Sequence, residues 1–258
     1  MQLIDTHTHL FSNKFDSDRT EMIQRAIDAG VSRMYLPNIS MDTTADMNAV
    51  VAQFPKHCFP MIGLHPCHVD EGFQAEVDHV ATELASGRYV AVGETGLDYH
   101  WDVTFKDLQK EALRQQIAMA KKYQLPIVLH TRESFDDTYE LIAEQNDETL
   151  SGVFHCFSGT VEDAHRVSEL GGFYIGIGGV ATFKKTTHID VLPKVPIELI
   201  VLETDAPYLA PTPYRGKRNE SAYLAHVAER VAEIIGVPVA ELAEKTTANA
   251  LELYKETT

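Results

Sequence analysis

The side chains of this sequence best suited to chemistry are imidazoles and carboxylates that stand where apolar runs end: His7, His9, His65, Glu94, His130, His155 and Asp205. His7-Thr8-His9 sets two imidazoles at i and i+2, which in extended backbone point to one side and can grip a single ion. With 12 histidines in the chain such a pair arises easily by chance, so it gains force only from its company. Glu94, in Val92-Gly93-Glu94-Thr95-Gly96, brings two carboxylate oxygens able to bridge two ions, and the flanking glycines would let a turn after the strand expose them. His130 follows Ile127-Val128-Leu129 and His155 follows Val153-Phe154, runs of the kind a core buries. One histidine so placed is ordinarily a satisfied core side chain. Two on successive strands, joined by Glu94 and the His pair, are better explained as metal ligands. Asp205 closes the run from Leu199 to Thr204 and could both hold an ion and take a proton from water.

Other polar residues divide around this set. Asp5 and Glu203 share faces with His7 and Asp205, and each either orients a ligand or pairs elsewhere. Asp98 reads as a solvated loop residue, and His57, His68, His79, His100, His165, His188 and His226 as surface. His65, in Gly63-Leu64-His65-Pro66, also ends a strand and is a candidate for substrate contact. Arg132, two residues beyond His130, and the cluster Arg215-Gly216-Lys217-Arg218 are candidate anion contacts, because a guanidinium matches phosphate oxygens in pairs.

The elements that must position these residues are legible as alternation. Eight apolar runs recur: 3–4, 34–36, 59–64, 89–92, 127–129, 153–154, 173–177 and 199–202. Helical spacing falls near 18–29, 43–53, 74–86, 107–123, 134–146 and 161–170, with 220–235 and 239–254 after the last run. The stretch 180–196, with Gly178-Gly179 before it and two prolines within it, predicts a loop or a short helix. Continuous apolar strands alternating with helices describe a parallel sheet covered on its outer face. Eight of them predict an α/β fold, a (β/α)₈ TIM barrel in one domain over 1–258, with a doubly wound open sheet of fewer strands as the alternative. In a barrel the carboxyl ends share one mouth, so residues far apart in sequence converge there.

Composition narrows the partners. A formal charge of −16 argues against a broad basic surface that wraps nucleic acid, although fixed cations can still hold a short phosphate substrate. Three cysteines, Cys58, Cys67 and Cys156, form no CxxC and read as reduced, buried small residues. No leader-like or membrane-spanning stretch is visible, so the expected location is cytoplasmic, with no membrane and no obligate protein partner.

Taken in order, His7-x-His9, Gly63-x-His65-Pro66, Gly93-Glu94-x-Gly96-Leu97-Asp98-Tyr99, His130-x-Arg132, His155-Cys156-Phe157-Ser158-Gly159, Glu203-Thr204-Asp205-Ala206-Pro207-Tyr208 and Arg215-Gly216-Lys217-Arg218-Asn219-Glu220 resemble the TatD family. These are metal-dependent, deoxyribonuclease-like hydrolases of the amidohydrolase superfamily. Ser134 and Ser221 depart from the family pattern, which more often has Ala and Pro there; neither is a proposed ligand. The resemblance implies a metal-bearing barrel that hydrolyses nucleic-acid phosphodiesters, often from the 3′ end, with DNA ends as substrate. It implies two divalent ions, zinc, manganese or magnesium, one held by His7, His9, Glu94 and Asp205 and the other by Glu94, His130 and His155. On this reading water activated by the ions and steered by Asp205 attacks phosphorus, while Arg132, His65 and Arg215, Lys217 and Arg218 hold the phosphate. The alternatives are an amidase, lactonase or phosphotriesterase-like hydrolase with the same ligands, or a metal-binding protein without catalysis.

Overall fold

A computed structural model of the chain describes residues 1–255; residues 256–258, part of the expected domain, lie outside them. Eight parallel strands alternate with helices: β1 Leu3–Asp5, α1 Arg19–Asp28, β2 Val31–Pro37, α2 Thr44–Gln53, β3 Cys58–Met61, α3 Phe73–Leu84, β4 Val92–Asp98 and α4 Lys106–Tyr123. They continue as β5 Ile127–Arg132, α5 Phe135–Gln145, β6 Gly152–Phe154, α6 Val161–Glu169, β7 Phe173–Ile177, the four-residue α7 His188–Val191, β8 Ile200–Leu202, α8 Leu224–Ile235 and α9 Val239–Leu253. The expected weak stretch 180–196 is short helical turns around α7.

The strands pair in chain order as two ladders, β1-β2-β3 and β4-β5-β6-β7-β8. Backbone hydrogen bonds close both seams. Gly93 N–H donates to Ile62 O at 2.9 Å and Ile62 N–H to Ala91 O at 3.2 Å, while Thr6 N–H reaches Leu202 O at 3.1 Å and Asp205 N–H reaches His7 O at 2.9 Å. The result is the expected α/β barrel.

Strand alternation sorts side chains into two layers. Ile4, Tyr35, Met61, Ala91, Val128, Val153, Tyr174 and Val201, one from each strand or its edge, pack together inside the barrel. Ala250 and Leu253 of α9, with Tyr254 after it, join this inner layer; Tyr254 stacks on Tyr35 at 3.8 Å and donates its hydroxyl to Thr6 O at 3.1 Å. The alternate residues, such as Leu36, Val92, Leu129, Phe154, Ile175 and Leu202, meet the apolar faces of the surrounding helices. Continuing the inner parity past Val128, Val153 and Val201 leads to His130, His155, Glu203 and Asp205, which is why these side chains share the mouth.

β4 breaks that parity. It runs Val92–Asp98, later than the apolar run 89–92 suggests, and its register against β5 shifts between Val92 and Thr95. Glu94 therefore lies within the strand and not in a turn after it. Two glutamines of α4 secure this stretch from outside. Gln109 Oε1 accepts Asp98 N–H at 3.0 Å, and Gln116 donates to Thr95 Oγ1 at 2.7 Å while accepting Leu64 N–H at 2.8 Å.

Among the described residues no helix is long and apolar enough to cross a membrane. Of the cysteines, Cys58 is buried as expected, but Cys67 is exposed and Cys156 half-buried; all three are free thiols. His188, expected at the surface, is buried and bonded to Phe157 O at 2.7 Å.

The close approach of β4 to β5 depends on Gly96, whose φ is +129° and where a Cβ would overlap the His130 carbonyl oxygen. Gly96→Ala is expected to destabilise the fold by about 2–4 kcal/mol through strain and overlap. Denaturant unfolding checks this, and a loss below about 0.5 kcal/mol, the range of a neutral surface substitution, would show the strand relaxing freely.

Candidate metal centre

Glu94 sits at the middle of the barrel mouth, 2% exposed, and its two oxygens face two separate groups of imidazoles. Oε2 lies 3.1 Å from His7 Nε2 and 3.5 Å from His9 Nε2. Asp205 Oδ1 completes this side, 3.5 Å from His9 Nε2 and 3.9 Å from His7 Nε2. Oε1 lies 2.9 Å from His130 Nδ1, 3.3 Å from His65 Nε2 and 3.9 Å from His155 Nε2. The structure thus brings together all six residues expected as ligands, with His65 beside them.

The donor chemistry suits cations. His7 Nε2 and His9 Nε2 face each other at 3.3 Å, and two imidazole nitrogens at that distance can share only one proton between them. A cation accepts both lone pairs. Nδ1 of His7 and of His9 has no hydrogen-bond partner, so nothing on the far side of these rings fixes the tautomer.

His130 and His155 have carboxylates behind them. His130 Nε2 lies 2.8 Å from Asp98 Oδ2, leaving Nδ1 toward Glu94. His155 Nδ1 lies 2.9 Å from Glu203 Oε1 as a close ion pair without hydrogen-bond alignment, its Nε2 faces Glu94 at 3.9 Å, and the same Glu203 oxygen accepts Cys156 N–H at 2.6 Å. A carboxylate hydrogen-bonded to the outer nitrogen, as Asp98 is to His130, orients the ring and makes the inner nitrogen a better ligand; Glu203 acts on His155 through charge. Glu203, read from sequence as an orienting residue or a pair elsewhere, is thus the charged partner of a proposed ligand. Asp98, read as solvated, is 2% exposed and was missed. Its signal was available only through β4, because its burial follows from the strand running on to residue 98.

His65 differs from its neighbours. Its Nδ1 accepts Cys67 N–H at 3.0 Å, so the neutral ring carries its proton on Nε2. It therefore presents a donor, not a lone pair, to the space beside Glu94. Asp5 also departs from a ligand-orienting role. It accepts Thr204 N–H at 2.9 Å and Thr204 Oγ1–H at 2.6 Å, tying β1 to the end of β8, and burial pushes its carboxyl up to about 7.

Electrostatics agree with a cation-ready site. Burial favours the neutral acid at Glu94, but the imidazoles of His65, His7 and His130 hold it well below the usual carboxylate range. Asp205 is likewise held low, burial being outweighed by His9, His155 and His7. Burial lowers His7 and His65. At His155 burial is overcome by Glu203, Glu94 and Asp205, which push it up to about 10. Asp205 has a left-handed φ of +55°, a conformation that short polar side chains tolerate and that clusters at functional sites.

A cavity of about 290 Å³ opens above these groups, lined by His9, His65, Glu94, His130, His155 and Asp205 together with Cys67, His68, Asp98, Trp101, Arg132 and Tyr208. Of the expected phosphate contacts the cavity includes Arg132 and His65. Arg215 stacks over Phe183 at 4.2 Å, and Lys217 is exposed. Arg218 is paired with Asp18 at 2.7 and 2.8 Å and bonded to Lys14 O, which fastens its loop to the start of α1.

Comparison with known proteins follows the same lines. A family model described as TatD-related DNase matches residues 4–255. The uncharacterized metal-dependent hydrolase YabD of Bacillus subtilis is 36% identical over 254 residues, covering 98% of this chain and 99% of that protein. The 3'-5' ssDNA/RNA exonuclease TatD of Rahnella is 35% identical over 253 residues, covering 95% of each. The crystal structure of YJJV, a TatD homolog from Escherichia coli, superposes with a TM-score of 0.91 at 30% identity, covering 99% of this chain and 98% of that one.

Two outcomes are expected. Asp98→Ala, which removes the acceptor behind His130, should weaken metal binding about 10- to 100-fold; competition with a chelating dye measures this, and unchanged affinity would deny Asp98 the role. Second, burial is outweighed at His155 by Glu203, Glu94 and Asp205, which push it up to about 10, and at His130 by Asp98 and Glu94, which raise it. Both rings favour a proton that a cation must displace, so loading should release on the order of one to two protons per chain. Calorimetry in buffers of different ionisation heat reads that number. Affinity should rise with pH up to about 10 and flatten above it.

Proposed function

The chain belongs to the family of TatD-related DNases, metal-dependent hydrolases acting on ester bonds, and from that premise we propose that it holds two divalent cations and cleaves the terminal phosphodiester of a nucleic-acid strand. The observation that carries this reading is the division of Glu94, one oxygen toward His7, His9 and Asp205 and the other toward His130 and His155. Those two sets would each hold one ion. Four imidazoles among the donors favour zinc or manganese over magnesium, which prefers oxygen ligands and keeps its water.

Divalent ions bound there supply a nucleophile at neutral pH and offset the charge that makes a phosphodiester resist attack. The chain's own residues do the rest. Asp205, with 15% of its side chain exposed, is the most open carboxylate of the set and can accept the proton of an attacking water. His65 donates its Nε2 proton toward a phosphate oxygen, and Arg132 offers a guanidinium at the cavity wall. Arg215 and Lys217 stand further out on the loop after β8 and would meet the strand beyond the cleaved bond.

A cavity of about 290 Å³ matches the size of one nucleotidyl unit, which supports attack at an end. The Rahnella relative's name, a 3'-5' exonuclease on single-stranded DNA and RNA, supports the same polarity and leaves both sugars open to this chain. We propose further that the barrel acts as one domain.

Asp205→Asn keeps the shape of the residue while removing its basicity, and turnover should fall about 100- to 10,000-fold with an unchanged melting temperature. Wild-type rates on a 3′-ended oligonucleotide would remove Asp205 from the mechanism. Metal-stripped protein given zinc, manganese or magnesium should act on 3′-ended DNA or RNA in preference to amides, lactones and phosphotriesters. The reverse preference would move the protein to another branch of the superfamily.

A further inference from the structure

Trp101 is the single tryptophan of the sequence, and it is 71% exposed at the rim of the metal cavity. An indole is a large apolar group that proteins ordinarily bury for most of its area, so leaving one open beside a polar cavity needs a reason. The ring is not left loose. Asp98 Oδ1 accepts the backbone N–H of His100 at 2.9 Å and of Trp101 at 3.3 Å, while its other oxygen meets His130. The Arg132 guanidinium lies 5.0 Å from the centre of the indole ring, and the His100 ring stands nearly perpendicular to it with centroids 4.9 Å apart. One carboxylate thus holds both a proposed metal ligand and the turn that carries Trp101. The cavity's other exposed aromatic, Tyr208, is built alike: 44% exposed, with Lys14 Nζ 4.5 Å from its ring centre.

An open aromatic face next to a cation is the pairing that recognises unpaired nucleotides, the ring taking the base and the cation the phosphate. A bare apolar patch for a protein partner would not need a guanidinium over the ring or an anchor running back to the metal centre. With a net charge of −16 the chain repels polyanions in general, which places the attraction for a strand end in local units of this kind.

We propose that Trp101 is a stacking platform for an unpaired nucleobase adjoining the scissile phosphate, with Arg132 beside it on the phosphate, so that single-stranded ends are selected over paired ones. This rests on the nuclease reading above and extends it to a specificity-determining residue. Tyr208 with Lys14 forms a second, lesser contact of the same type. A base locked in a duplex keeps its stacking partners and cannot transfer to the indole.

The lone tryptophan makes the test direct. In metal-loaded Asp205→Asn protein, indole emission should be quenched saturably by an oligodeoxynucleotide with two unpaired 3′ adenines. It should be unaffected by the same strand with those two positions abasic, and by a blunt duplex. In protein with Asp205 intact, Trp101→Ala should lower kcat/KM on the adenine end about 5- to 100-fold, the span of one lost stacked base, and leave the abasic end within about two-fold. Trp101→Phe should restore most of the difference. Cleavage of both ends by the wild type without base-dependent quenching, or an equal loss on both ends in Trp101→Ala, overturns the platform and leaves the nuclease reading standing. Failure of the wild type to cleave either end overturns both.

Discussion

A single buried carboxylate organises this barrel. An ionised glutamate almost wholly removed from water is costly unless opposite charge or donors surround it, and Glu94 is surrounded by the rings of His7, His9, His65, His130 and His155. To bring it there, β4 gives up regular pairing with β5, and the seam between the two ladders falls beside it. The backbone answers locally. Glu94 N–H donates to Asn38 O at 3.0 Å, and the Asn38 side chain in turn reaches Ser40 O at 2.9 Å and Thr44 Oγ1 at 3.2 Å. The irregularity is thereby paid back in hydrogen bonds to the loop that follows β2.

Support spreads outward from that centre in layers. Each of His130 and His155 is backed by a carboxylate, and each carboxylate is used again: Asp98 by the turn at His100 and Trp101, Glu203 by the Cys156 amide. α4 reaches inward with Gln109 to hold the Asp98 backbone, so a helix on the outer face has a say in how one imidazole is aimed. Buried polar groups joined in this connected way, as Asp98 joins His130 to the turn at His100 and Trp101, rigidify a site more than isolated pairs do. The loop with Arg218 shows the same economy at the surface, where Asp18 joins Arg218 to Arg25 and Arg25 pairs in turn with Glu220. A cation that reads in sequence as a phosphate contact is there occupied in holding its own loop.

Most of the architecture was legible because its cause is periodic. Continuous apolar runs and 3.6-residue spacing located seven of the eight strands, the first residue of β4 and the long helices, and the residues closing those runs did converge on one mouth. What escaped has a common physical origin. β4 continues through Gly93-Glu94-Thr95-Gly96, a polar, glycine-rich stretch held by Gln116 and by β5, and no hydropathy pattern marks a strand stabilised that way. Asp98 went unseen for the same reason. Asp5 and Asp98 were both polar residues near strand ends; which of them would reach an imidazole depended on register, which local sequence does not specify.

Gly176 on β7 has no room for a Cβ, because the Glu203 carboxylate occupies that space. The two positions are therefore sterically coupled. A side chain at 176 forces the Glu203 carboxylate to move, and a moved carboxylate leaves its place beside His155 Nδ1 and the Cys156 amide. The hydrogen at position 176 thus sets, from the neighbouring strand, where the charge behind one imidazole can stand.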